Sequence, residues 1–170
     1  MAAKKILAIF AGSLFPTVMA SQDRVLKMII RLARDHKVDL ASIVRTSHEI
    51  DLSRKNLKSH GICFHPVRAL NFNRTRLGKK ILGAQWYAHC LLFGLSSRYY
   101  YWGHRSIIRQ LREIIRSGHY DIVQISGWYS GDILSQVPEG IYSAIDTHDV
   151  LFEKKEKEYL ARFGNGIPFF

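Results

Sequence analysis

Residues 120–150 read YDIVQISGWYSGDILSQVPEGIYSAIDTHDV. Two short apolar runs stand out, Ile122–Ile125 and Ile141–Ile145. The first gives way to Ser126 and Gly127, the second to Asp146, Thr147, His148 and Asp149. Apolar runs of this length, bounded by Gly, Pro and Asp, predict buried strands, and the segment between them has the length of a short helix. In an open parallel sheet, ligands sit just beyond the carboxyl ends of the strands. The clusters Ser126-Gly127-Trp128-Tyr129 and Asp146-Thr147-His148-Asp149 are therefore the expected walls of a site.

The amino-terminal stretch predicts more of the same sheet. Lys4–Phe10 (KKILAIF) is apolar almost throughout, as a central parallel strand should be. In the loop that follows, Gly12 suits a tight turn and Pro16 delays the next helix. Ser21 is the expected N-cap of a helix running to about Asp35, with Val25, Leu26, Ile29, Ile30 and Ala33 on one face. Lys37–Val44 predicts the second strand, and this β-loop-α-β opening implies a right-handed crossover in a parallel sheet. A weakly patterned helix over Glu49–His60, stopped by Gly61, leads to a third strand at Ile62–Val67. Ala69–Lys80 is basic and irregular, and Gly83–Trp102 predicts a helix and a turn rich in aromatics. Between Trp102 and Ser117 the pattern sharpens into an apolar stripe of Ile107, Ile108, Leu111, Ile114 and Ile115. Arg105, Arg109, Arg112 and Arg116 form a second stripe turned away from it, and Gly118 supplies the stop. Phe152–Phe163 predicts a last, charged helix. Five strands separated by helices define a doubly wound, Rossmann-like α/β domain with a mainly parallel sheet and helices on both faces.

Composition bounds the partners. The chain of 170 residues is 47% hydrophobic and 23% charged, a globular balance with room for a sizeable core. The net charge of +11 is concentrated. Arg54–Arg116 holds thirteen Lys and Arg against one acid, Glu113, for a net +12, while the rest of the chain has a net charge of −1. Such a patch points to phosphate groups, an acidic membrane surface or nucleic acid. Cys63 and Cys90, without CxxC spacing, are expected to be reduced, buried thiols. With eight scattered histidines they show no metal-ligand spacing, so no metal is expected. The apolar run after Lys4-Lys5 is too short for a secretory signal, which sets a cytoplasmic expectation.

The KKILAIF strand, the helix with Arg24 in its first turn, the YDIVQISGWYSG strand and the AIDTHDVLFEKKEKEYL strand–helix together resemble the amino-terminal domain of a GT-B glycosyltransferase of group 1, also called family 4. The resemblance covers nearly all of the chain in element order and is sharpest over Tyr120–Arg162. It implies one of two Rossmann-like domains that face each other across a cleft, this one holding a glycan or lipid-linked acceptor. The opposite domain would bind the nucleotide-sugar, and transfer would retain anomeric configuration without an obligatory metal. Residues 1–165 would be that acceptor-side domain and 166–170 the start of a linker or tail, so that the chain alone is an incomplete catalyst.

The resemblance also implies roles. His148 would line the reaction cleft beside the transferred sugar. Asp149 is a candidate base for the acceptor hydroxyl, or the N-cap of the helix that follows. Gly12, Ser13, Ser21 and Arg24 would approach the acceptor or a phosphate, although the family's glycine-rich loop is reduced here to Gly12. Ser126, Gly127, Trp128 and Tyr129 would offer a close turn and stacking faces for a sugar, or pack against a neighbouring helix. Basic residues interleaved with aromatics suit a membrane interface, so the arginine stripe is a candidate dock for anionic lipid on the inner face of the membrane. Two other readings stay open: a basic nucleic-acid-binding module, and another nucleotide-binding Rossmann-like domain. The first lacks any recognised nucleic-acid-binding motif, and the second lacks GxGxxG or a P-loop at the first β-α junction.

Overall fold

The computed structural model describes residues 2–93, 105–126 and 133–146. Five parallel strands form one sheet: β1 (Lys5–Phe10), β2 (Lys37–Val44), β3 (Cys63–Arg68), β4 (Ile122–Ser126) and β5 (Tyr142–Asp146). Their order is β3-β2-β1-β4-β5, with every neighbour pair parallel. The chain winds outward from β1 to β3, then crosses back to lay β4 and β5 on the other side of β1. That reversal creates a switch point between β1 and β4.

Four helices are described: α1 (Ala20–Leu32), α2 (Ser47–Lys58), α3 (Arg76–Phe93) and α4 (Arg105–Gly118). Strand alternation divides the core between two faces. Ile6, Ala8 and Phe10 of β1 pack with Val25 and Ile29 of α1 and Leu57 of α2. Leu7 and Ile9 face the other way and pack with Ile107, Leu111 and Ile115 of α4. The three α4 residues are spaced one turn apart and fully buried. Burying such side chains contributes ~1.5–3 kcal/mol each before the entropy of ordering is counted. The helices therefore cover both faces of the sheet, as a doubly wound domain requires.

Most predicted elements lie within two residues of their expected bounds, and the differences have local causes. The second helix begins at Ser47 because Thr46 accepts a hydrogen bond from the Glu49 amide (3.2 Å), while the Glu49 carboxylate accepts one from the Arg45 amide (2.6 Å). The spacing is that of a Thr-x-x-Glu capping box, with the carboxylate bonding the amide one residue ahead of the cap. α3 takes in Arg76–Lys80, part of the stretch expected to be irregular. Gly61 ends the turn after α2 at φ 68°, a left-handed conformation that glycine adopts freely. After α4 the left-handed residue is His119, at φ 49°. Gly118 is needed for space instead, since a Cβ there would overlap the Tyr120 ring.

β3 is an edge strand of the described sheet. Gln110 of α4 lies along it: its side chain accepts from the Arg68 amide (2.9 Å) and donates to the Arg68 carbonyl (3.2 Å). The peptide groups of Phe64 and Pro66 point the same way as that of Arg68, by strand alternation.

Candidate functional site

One row of side chains crosses the sheet at its carboxyl end. By register, Ser42 of β2 pairs with Phe10 of β1, Phe10 with Ser126 of β4, and Ser126 with Asp146 of β5. The row lies on the α1 side. Phe10 belongs to the core beneath α1, while Val123 and Ile125 belong to the opposite core. The polar members are tied in different ways. The Ser42 hydroxyl donates to the Gly12 carbonyl (2.7 Å), fixing the loop that leaves β1. Asp146 accepts two hydrogen bonds from one terminal nitrogen of Arg24 on α1 (2.8 and 3.0 Å). Ser126 is 2% exposed and its hydroxyl has no hydrogen-bond partner among the described residues. Leaving a buried hydroxyl unsatisfied costs about 1–3 kcal/mol, so this group stands ready for a partner at the switch point.

The loop between β1 and α1 is organised by Gln22, which is 5% exposed. Its side-chain oxygen accepts from the Val18 and Met19 amides (2.8 Å each), and its nitrogen donates to the Ser13 carbonyl (2.7 Å). Met19, not Ser21, is the N-cap residue of α1, and its side chain makes no capping hydrogen bond. The cap is supplied from inside the helix by Gln22, so Ser21 sits within the first turn. The amides of Gln22 and Asp23 bond to the Met19 carbonyl (3.0 and 3.2 Å). Those of Ala20 and Ser21 have no acceptor among the described residues and face the helix's positive end. Asp23 lies in the same turn and pairs with Lys27 (2.7 Å), which lessens that end's preference for a further anion.

The other expected loop residues fare unevenly. Ser13 donates to the Phe15 carbonyl (2.7 Å) and so shapes the loop. Gly12 is not demanded by its backbone: a Cβ there would lie 3.4 Å from the edge of the Phe10 ring, close to ordinary contact. Arg24 meets Asp146 rather than standing free for a phosphate. Gly127, Trp128, Tyr129, His148 and Asp149 lie outside the described residues, as does the helix expected over Phe152–Phe163.

Arg105, Arg109, Arg112 and Arg116 are all exposed along α4, opposite its buried stripe. Arg112 donates to the Gln136 side chain (2.7 Å), and among the described residues none of the four is ion-paired. α3 adds an exposed apolar line, Leu77, Ile81, Ala84, Ala88 and Leu92, at spacings of four and three. No helix among the described residues is long and apolar enough to cross a membrane.

At the opposite, amino-terminal end of the sheet lies a cluster that spacing along the chain did not reveal. Asp39 of β2 is 5% exposed. Its Oδ2 accepts from the Tyr120 hydroxyl (2.8 Å) and lies 3.2 Å from His65 Nε2. Burial, then the hydrogen bond to Asp39, then the charges of Asp39 and Cys63, push the Tyr120 phenol well above its ordinary pKa. Tyr120 therefore stays a donor. Lys5 sits over its ring, 4.9 Å from the centroid. Cys63, the register partner of Asp39, is a free and exposed thiol, contrary to the expected burial.

No family model matches the chain, and no curated protein matches it significantly.

Proposed function

We propose that this domain is the acceptor-side half of a retaining GT-B glycosyltransferase. On this reading a glycan or lipid-linked acceptor binds at the β1/β4 switch point, and a second Rossmann-like unit supplies the nucleotide-sugar. One observation carries the reading furthest: the buried Ser126 hydroxyl at the carboxyl end of β4, without a partner among the described residues and beside Asp146 and Arg24. Hydroxyl, carboxylate and guanidinium together match the alternating donors and acceptors of a sugar. The all-parallel β3-β2-β1-β4-β5 order supports the reading by putting these groups where doubly wound domains bind ligands. His148 and Asp149, following β5, are the proposed cleft groups nearest the transferred sugar. Arg105, Arg109, Arg112 and Arg116, with the exposed apolar line of α3, are the proposed dock for an anionic cytoplasmic membrane surface.

The test is a binding series with oligosaccharides and short-chain lipid-linked sugars, followed by calorimetry and by NMR shifts of labelled protein. Binding should be weakly salt-dependent and should shift Ser126 and Arg24. Ser126→Ala should leave the unfolding midpoint unchanged or raise it, because the buried hydroxyl has no partner among the described residues, yet weaken binding several-fold. Tight binding of nucleic acid with a steep salt slope, and none of carbohydrate, would make the basic segment a nucleic-acid surface instead.

A further inference from the structure

We infer that Asp39, Cys63 and His65 form a three-ligand Zn2+ site at the amino-terminal end of the sheet, remote from the β1/β4 switch point. Their metal-binding atoms, one oxygen, one sulfur and one nitrogen, lie within 4.8 Å of one another. Strand geometry brings them together. Asp39 and Cys63 are register partners, and His65 follows Cys63 by two, so all three side chains stand on the α4 face. Four-coordinate zinc, with bonds of about 2.0–2.3 Å, holds its ligand atoms roughly 3.3–3.8 Å apart. Asp39 Oδ2 and His65 Nε2, at 3.2 Å, already approach that spacing. A small χ1 adjustment of exposed Cys63 completes the set, and water takes the fourth position.

The surroundings fit a metal centre. The Tyr120 hydroxyl donates to Asp39 Oδ2 at 2.8 Å and lies 3.4 Å from His65 Nε2, the kind of supporting hydrogen bonding that ligating groups receive. Exposed Cys63 and half-buried His65 leave a route for the ion from solvent. A mixed S, N, O donor set suits zinc better than the hard cations magnesium and calcium. Charge closes as well: the thiolate and carboxylate balance the ion. On binding, Cys63 gives up its thiol proton to solvent and His65 coordinates as the neutral ring, with no change of oxidation state. Affinity therefore rises with pH.

The probes are Zn2+ and Co2+ added to the full chain in a non-coordinating reductant. One Zn2+ per chain should bind, and Co2+ should produce the near-ultraviolet thiolate-to-metal absorption. Loss of a direct ligand must cost at least the ~10–100-fold typical of a supporting partner. Cys63→Ala should thus weaken Zn2+ by about 100-fold and abolish the absorption. His65→Ala should weaken Zn2+ comparably while the chain stays folded by circular dichroism. Tyr120→Phe, which removes a hydroxyl 2.8 Å from Asp39 Oδ2 and 3.4 Å from His65 Nε2 but no ligand atom, should cost about 10-fold and keep the absorption. His60→Ala is the control for adventitious surface binding and should change nothing. An absent thiolate band, a band that survives Cys63→Ala, or zinc affinity indifferent to His65→Ala each overturns the assignment.

Discussion

Replacing Tyr120 with phenylalanine deletes one oxygen from a core residue and removes a donor from a carboxylate that is 5% exposed. The lost hydrogen bond runs to a charged acceptor at 2.8 Å. Bonds to charged groups contribute roughly 1.5–3 kcal/mol, and Asp39 keeps only His65 as its other described side-chain partner. A loss of about 2 kcal/mol at pH 7 follows, or ~4–8 °C in Tm for a chain of this size. The pH dependence is more diagnostic. The folded phenol titrates above its unfolded value, so the unfolded chain loses its proton first as pH rises. The stability linked to Tyr120 is therefore complete below about pH 10, and it falls by up to ~1.4 kcal/mol per pH unit above that, until the folded phenol ionises. The phenylalanine variant lacks this term. Urea unfolding of both proteins at pH 7, 9, 10 and 10.5, with EDTA present to keep metal out, should show a gap that is constant to pH 9 and then narrows. A gap that stays flat or widens through pH 10.5 would show that Tyr120 is not buried against a charged Asp39, and the reasoning would fail.

Gly118→Ala should cost about 3 kcal/mol in urea unfolding, the upper end of overpacking, because its Cβ would overlap a Tyr120 ring that cannot leave the core; a loss under 1 kcal/mol would contradict the packing. Arg24→Ala should change stability by less than about 1 kcal/mol despite its two short contacts, because Arg24 is 57% exposed and surface ion pairs contribute little. A drop of several kcal/mol on chemical unfolding would mean that the pair is sealed from water. Arg105, Arg109 and Arg116 changed together to Glu should abolish co-sedimentation with anionic vesicles while leaving the fold intact; at ~1 kcal/mol per basic residue, affinity falls by more than 100-fold. Unchanged co-sedimentation would remove α4 from the docking surface.

The strands were legible because their signal is local: apolar runs such as KKILAIF and KVDLASIV, cut by turn residues, report burial on both faces. α4 was legible for the complementary reason, since Ile107, Leu111 and Ile115 repeat at helical spacing and the arginines fill the opposite face. The α1 cap was misread because a buried Gln22 satisfies the loop amides from within the helix, and Gln at that position carries little signal without a Ser or Thr before it. The Asp39–His65–Tyr120 network was invisible because its members lie 26 and 81 residues from Asp39 and meet only through strand register. The Arg24–Asp146 pair, 122 residues apart, was hidden for the same reason. A period-two reading of CFH against DLA, once the two strands are taken as neighbours, is the signal that would have found the cluster.

The flank formed by β3 has a consequence for how copies of this protein behave at high concentration. Of the peptide groups that turn outward there, Pro66 has no hydrogen to give, and those of Arg68 are occupied by Gln110. An incoming strand from another molecule would find a single amide, that of Phe64, and could not build a ladder. Strand addition along that margin is opposed by one imino acid and one side-chain amide, so mutating Gln110 and Pro66 together should open it to pairing with another chain.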